Sequence, residues 1–79
     1  MDGKIYAGRN LRVLRELRGH VQETMASELG IAQTVYSKIE NGGKSMDKGQ
    51  AETIARFLLV PVECILSSDE FILLQSGDA

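Results

Sequence analysis

The segment from residue 22 to residue 42 constrains the fold more than any other part of this 79-residue chain. It reads QETMASELGIAQTVYSKIENG. Apolar residues recur at helical spacing on both sides of Gly30, and glycine readily ends a helix in the left-handed conformation. The pattern predicts one short helix over residues 22–29. A second helix is predicted to begin at residue 32 or 33 and to end at Asn41.

The two faces of the second predicted helix differ in chemistry. At about 100° per residue, Val35, Tyr36 and Ile39 fall on one side and must pack on the helices before it. The opposite side carries hydrogen-bonding groups, on Gln33, Thr34, Ser37, Lys38 and Asn41. Two short helices joined by a tight break are the layout of a helix-turn-helix, whose second helix lies in the DNA major groove.

Three further helices flank this segment, so the whole chain is predicted to be all-α. Leucines recur every third residue between Gly8 and Gly19 and predict a first helix with an inner stripe of Leu11, Leu14 and Leu17. Asp47 can cap a fourth helix, with Gln50 three residues later in a capping box. The inner stripe of that helix is Ala51, Ile54, Ala55 and Leu58. Pro61 suits the start of a short fifth helix that ends near Leu66, and its inward residues are Val62, Ile65 and Leu66.

Composition places the chain among small globular proteins. The hydrophobic fraction of 43% suits one domain with a modest core. Apolar runs are too short to span a bilayer, and residues 1–8 lack the apolar stretch of a secretory signal. The single Cys64 excludes an internal disulfide, fits a reducing cytoplasm and is interpreted as a small buried hydrophobe. Since no nucleophile–base pair, metal cluster or phosphate-binding glycine loop is evident, we expect no enzyme, metal, cofactor or small-molecule ligand.

Charge is distributed unevenly along the chain. The net charge is −2, but residues 1–44 hold seven bases and five acids, for a net charge of +2. Residues 45–79 hold two bases and six acids, for a net charge of −4. The first part therefore suits a polyanionic partner, whereas the alternative is an ordinary solvated surface.

Two ordered motifs resemble a known family. They are QxxMAxxLGI at residues 22–31 and YSKIENG at residues 36–42, and together they resemble the lambda-repressor-like, Cro-type (XRE-family) helix-turn-helix domains. The resemblance covers about residues 7–66 and implies a five-helix DNA-binding domain over residues 5–66. It also implies a bacterial or phage-encoded, cytoplasmic and DNA-associated regulator.

The resemblance implies a role for each polar residue. Base edges would be read by Gln33, Thr34, Ser37 and Lys38. Phosphates would be contacted by Gln22, Asn41, Lys44 and Arg15. Arg15 and Glu40 match a structural ion pair that joins helix one to the recognition helix. Without the family pattern, the same polar side would be interpreted as a solvated helix face.

Some residues depart from the family pattern. Tyr36 stands where Ile or Val is usual, so its hydroxyl must find a partner or reach solvent. Val21 replaces a capping Ser, Thr or Asn, and Leu59 replaces the glycine that usually ends helix four.

One domain of this kind reads too few bases to select a site in a genome, so the sequence predicts a homodimer on double-stranded DNA. Residues 67–79 follow the last core helix and are a candidate dimerisation segment. The predicted contacts are Ile65, Phe71, Ile72, Leu73 and Leu74. Alternatively, the apolar run folds back on its own core. A second functional class is a protein-interaction module or an antitoxin-like partner-binding protein that uses the acidic C-terminal half.

Overall fold

The computed structural model describes residues 4–66, and within them the chain folds into five helices. This confirms the predicted all-α bundle. The helices are α1 Gly8–Leu17, α2 Gln22–Leu29, α3 Gln33–Glu40, α4 Lys48–Leu58 and α5 Glu63–Leu66. Helix α2 packs on α3 and α4, whereas α1 packs on α3 and α5. In the part of the chain described, no helix combines the length and the hydropathy needed to cross a bilayer.

Gly30 produces the break between α2 and α3. Its φ of 69° lies in the left-handed region, where glycine has no Cβ to clash. The amide of Ile31 donates to the carbonyl of Ala26 at 3.0 Å and closes the turn. Both predicted helices around Gly30 are confirmed, and Asn41 follows the last residue of α3.

The two ends of α4 are held by different means. The Asp47 carboxylate accepts from the Gln50 amide at 2.7 Å, and the Gln50 side chain accepts from the Asp47 amide at 3.0 Å, which confirms the capping box. At the other end, Leu59 adopts a left-handed φ of 62°, which costs a residue with a Cβ about 1–2 kcal/mol. The Arg18 guanidinium donates to the carbonyls of Leu58 at 2.8 Å and Leu59 at 3.3 Å. These bonds satisfy carbonyls that the end of a helix leaves open.

The core is built from one apolar side of each helix, from Ala7 just before α1 and from Met46 in the α3–α4 loop. Its largest fully buried apolar side chains are Leu11, Met25, Tyr36, Ile39, Met46, Ile54, Leu58 and Ile65. The predicted inner stripe of α4 is confirmed, because all four of its members are buried. Cys64 is half-buried against this core.

Three details of the predicted helices are wrong, namely two members of the inner stripes and one helix start. Leu17 is 71% exposed, because residues spaced by three drift about 60° per step around a helix and α1 ends at Leu17. Leu66 is exposed at the end of α5, where Ile65 takes the buried position. Helix α5 begins at Glu63 and not at Pro61, because the chain first makes a turn.

The start of α1 lies directly against the end of α3. A Cβ built on the buried Gly8 would lie 2.6 Å from the carbonyl carbon of Glu40 and closer still to the carbonyl oxygens of Ile39 and Glu40. Just before α1, Ile5 and Met46 exchange two backbone hydrogen bonds of 2.9 Å in an isolated antiparallel bridge. The residues ahead of α1 are therefore anchored to the loop that follows α3.

Candidate nucleic-acid interface

One buried carboxylate joins α1, α2 and α3. The Glu40 side chain is 1% exposed, and both of its oxygens accept hydrogen bonds. Oε2 accepts from Arg15 Nε and from the Tyr36 hydroxyl, both at 2.7 Å. Oε1 accepts from Gln22 Nε2 at 3.1 Å and from Arg15 Nη2 at 3.2 Å. These four residues form the Glu40 brace, which fixes α3 to the two helices before it.

Burial and hydrogen bonding act in opposite directions on the Glu40 brace. Burial raises the pKa of Glu40, but hydrogen bonds from Arg15, Tyr36 and Gln22 outweigh it and hold that pKa below its ordinary value. The hydrogen bond to Glu40 raises the pKa of Arg15 against the lowering effect of burial. Burial, followed by the hydrogen bond to Glu40, raises the pKa of Tyr36. At neutral pH the brace therefore holds a charged carboxylate, a charged guanidinium and a neutral phenol.

The depressed pKa of Glu40 predicts a loss of stability in acid. The ionised Glu40 side chain stabilises the folded chain in full above its unfolded pKa of about 4.3. This stabilisation is lost as the pH falls through the lower folded pKa. Between these two values the unfolded chain binds a proton that the folded chain does not bind. We therefore expect the free energy of unfolding, measured in urea at a series of pH values, to fall below about pH 4.3. Glu40→Gln is the control and should show a shallower slope in that window. Equal slopes in the two proteins would contradict the prediction.

The predicted base-reading residues lie on the side of α3 that faces away from the core. Gln33 is the first residue of α3 and Thr34 follows it, and both are exposed. Lys38 is exposed one turn later, and Ser37 is half-buried beside it. The fold thus brings four hydrogen-bonding side chains to one surface.

The four predicted phosphate-contact residues lie in different surroundings. Asn41 and Lys44 are exposed in the loop after α3. Gln22 is half-buried at the first residue of α2 and donates through its side-chain amide to Glu40. Arg15 has a side chain only 12% exposed, and its Nε, Nη1 and Nη2 atoms all donate within the protein. These bonds use three of the five guanidinium N–H groups, so the low exposure of the side chain, and not a lack of donors, restricts a phosphate contact by Arg15.

Ile65 does not lie where its predicted role requires. It is fully buried in α5, which packs on α1 and α4, so it belongs to the core of its own chain and is not offered to a second one. This corrects the prediction that Ile65 lies in a dimer interface. The other predicted dimer contacts, at residues 71–74, lie outside the described residues.

Sequence reasoning missed several contacts that shape this surface. The hydrogen bond from Gln22 to Glu40 was not predicted, and neither was the hydrogen bond from Arg18 to the end of α4. The ring of His20 stacks on Phe57 with centroids 4.6 Å apart. Leu59 marks an unusual end for α4, but it forms the left-handed turn with its own backbone bonds, so it gives no signal that Arg18 would donate there. The remaining contacts depend on how the helices pack and have no local signature.

Comparison with known proteins identifies the family. The family profile described as a helix-turn-helix domain matches residues 7–64. The chain belongs to this helix-turn-helix family. The Cro-type resemblance of residues 22–42 is thereby confirmed, and α2 and α3 are the two helices of the motif.

A curated relative of this helix-turn-helix protein comes from Bacillus subtilis (strain 168) and is named "Uncharacterized HTH-type transcriptional regulator YazB". It is 39% identical over 44 residues, which cover 56% of this chain and 62% of the relative. The match therefore spans less than two thirds of that protein.

Two solved structures share the fold of the helix-turn-helix protein. The restriction-modification controller protein C.AhdI from Aeromonas hydrophila matches with a TM-score of 0.69 and 24% identity, over 77% of this chain and 92% of its own. A hypothetical transcription factor, NHTF from Neisseria, matches with a TM-score of 0.75 and 24% identity, over 89% of this chain and 80% of its own.

Proposed function

We propose that this helix-turn-helix protein is a sequence-specific transcriptional regulator of the repressor or controller type that reads the DNA major groove with α3. The observation that carries the proposal is the polar, solvent-facing side of α3, which presents Gln33, Thr34 and Lys38 while its other side is buried. Glutamine can pair with adenine through two hydrogen bonds, lysine can donate to guanine, and the threonine methyl can touch the thymine methyl. Gln33 and Thr34 occupy the N-terminal end of α3, the end from which a recognition helix usually reaches base edges.

Contacts with the phosphates of the DNA backbone would come from residues around α3. Lys44 and Asn41 lie in the loop that follows α3, and Gln22 begins α2. Phosphate contacts of this kind set the register of a protein on the duplex and make its affinity depend on salt. The net charge of +2 on residues 1–44 supports an orientation in which this part of the chain faces the DNA.

The proposal includes a homodimer on a two-fold-symmetric site. Four base-reading side chains, each worth about 1–3 kcal/mol of discrimination, are too few to select a single site in a genome. Two domains related by a two-fold axis would read half-sites about 34 Å apart. Residues 67–79 remain the proposed source of the dimer contacts.

Selection from a random DNA library, followed by fluorescence anisotropy at several salt concentrations, tests the proposed function. A regulator should enrich a two-fold-symmetric site and lose affinity steeply as salt rises. If no sequence is enriched and affinity does not change with salt, the protein is not a reader of DNA. In that case the acidic half of the chain, residues 45–79 with a net charge of −4, becomes the candidate surface for a protein partner.

Gln33→Ala and Lys44→Ala should separate base reading from phosphate contact. We expect Gln33→Ala to cost about 1–3 kcal/mol on the selected site and to relax one position of each half-site. Lys44→Ala should weaken all sequences alike and reduce the salt slope by about one for each domain bound. Affinity for the selected site and for single-base variants, measured at two salt concentrations, checks both results. A change of sequence preference in Lys44→Ala would reverse the assignment.

Removal of the residues after Ser68 tests the dimer. We expect sedimentation to show a dimer for the full chain and a monomer for the shortened one, with the helical circular dichroism signal of residues 4–66 retained. DNA affinity should then fall because two linked half-sites are no longer bound together. A shortened chain that still sediments as a dimer would show that the interface lies within residues 1–68.

A further inference from the structure

Tyr36 is the member of the Glu40 brace that departs from the Cro-type pattern, which has Ile or Val at its position. Its ring is fully buried in the core, and its hydroxyl donates to Glu40 Oε2 at 2.7 Å. Ile or Val at this position would fill the core but could not donate a hydrogen bond. The hydroxyl therefore gives the Glu40 brace a hydrogen bond that Ile or Val could not supply.

The two oxygens of Glu40 are held unequally. Oε2 accepts two short bonds of 2.7 Å, from Arg15 Nε and the Tyr36 hydroxyl. Oε1 accepts two longer bonds, from Arg15 Nη2 at 3.2 Å and from Gln22 Nε2 at 3.1 Å. The two short bonds hold Oε2 in place, and because a carboxylate is rigid and planar, they restrict where Oε1 can lie. Together with Arg15, Tyr36 thereby restricts the position of the oxygen to which Gln22 donates.

The amide of Gln22 can serve two acceptors at once. Its Nε2 atom carries two hydrogens, and one of them is directed at Glu40 Oε1. Gln22 begins α2, and Val21 ahead of it offers no side-chain oxygen as a cap. We propose that the Tyr36 hydroxyl is a positioning group for Gln22, which holds the second amide hydrogen toward a DNA phosphate. This inference rests on the proposed DNA-binding function and names a device that orients one of its phosphate contacts.

The first test uses the free protein and needs no DNA. Tyr36→Phe removes one hydroxyl from the brace, and Tyr6→Phe removes one from a tyrosine that is 54% exposed, so the two variants are matched. Nuclear magnetic resonance of the Gln22 side-chain amide should show displaced signals and faster solvent exchange in Tyr36→Phe, but no change in Tyr6→Phe. Backbone amide spectra report whether Tyr36→Phe stays folded. An unchanged Gln22 amide in folded Tyr36→Phe would overturn the proposal.

The second test measures whether the effect on DNA passes through Gln22. In a double-mutant cycle, Tyr36→Phe should weaken binding to the selected site about fivefold when Gln22 is present, and less than about twofold in a Gln22→Ala background. The control Tyr6→Phe should leave affinity within about twofold. An equal loss in both backgrounds would show that Tyr36 acts on the fold and not on Gln22. If the unmodified protein selects no DNA, the proposed function fails, and the amide signals still decide whether Tyr36 positions Gln22.

Discussion

Replacement of Glu40 by alanine should lower the free energy of unfolding by about 3–5 kcal/mol. The substitution leaves the Arg15 guanidinium, 12% exposed, with only the exposed Glu16 carboxylate at 3.8 Å as a counter-charge, and it removes the acceptor of the Tyr36 hydroxyl and the Gln22 amide. A buried charge that loses its partner keeps the cost of leaving water and loses the attraction that offset it. Domains of this length have a total stability of about 4–12 kcal/mol, so the loss removes about a quarter of that stability or more.

Urea denaturation followed by circular dichroism checks this prediction, with Glu16→Ala as the control. Glu16 lies 3.6 Å from Arg12 and 3.8 Å from Arg15, but its own side chain is 57% exposed. Exposed pairs contribute about 0–1 kcal/mol, so Glu16→Ala should lie in that range. The double variant Arg15→Ala, Glu40→Ala should cost less than the two single changes together, because it strands no charge. Strict additivity would show that the brace does not act as a unit.

Gly8→Ala should destabilise the protein by about 3 kcal/mol, although alanine normally favours a helix. Glycine in a helix usually costs about 1 kcal/mol relative to alanine, so the ordinary expectation has the opposite sign. At Gly8 the added Cβ would overlap the backbone carbonyl groups of Ile39 and Glu40. Backbone atoms cannot turn aside as a flexible side chain can, so α1 must move away from α3. That movement also draws Arg15 away from Glu40.

Gly49→Ala is the matched control for Gly8→Ala. Gly49 lies in the first turn of α4, where a Cβ would meet only the Asp47 carboxylate at 3.4 Å. With room for the methyl group, this change should stabilise the protein by about 0.5–1 kcal/mol. The melting temperatures of the two variants should therefore move in opposite directions. If both melting temperatures rise, the contact between α1 and α3 has room for a methyl group at Gly8, which would contradict the prediction.

The features that were predicted from the sequence are those with a local cause. The ends of α2 and the start of α3 follow from Gly30 and from apolar spacing within a few residues. The capping box at the start of α4 depends on Asp47 and Gln50, which are three residues apart. The polar side of α3 follows from the periodicity of one helix. In each case the interacting groups are near neighbours in the chain, so the local sequence pattern predicts the geometry.

The features that were missed depend on groups far apart in the chain. Arg18 meets the end of α4 across 40 residues, and Gln22 meets Glu40 across 18. The exposure of Leu17 depends on where α1 ends and on what packs beside it. Periodicity states which side of a helix is apolar, but it does not state which atoms of another helix that side will meet. The brace was predicted as one ion pair, and packing adds the Gln22 amide to it. The Tyr36 hydroxyl is the exception, because it lies only four residues before Glu40 on the same helix.

The bridge between Ile5 and Met46 has a consequence for the order in which the chain can fold. Ile5 is synthesised about 40 residues before its partner, and closing a loop of that length costs about 3 kcal/mol of chain entropy. Helices α2 and α3 need no such closure, because a short turn at Gly30 joins them. The residues ahead of α1 therefore leave the ribosome before α2 and α3, and they can dock only once the loop after α3 exists to receive them.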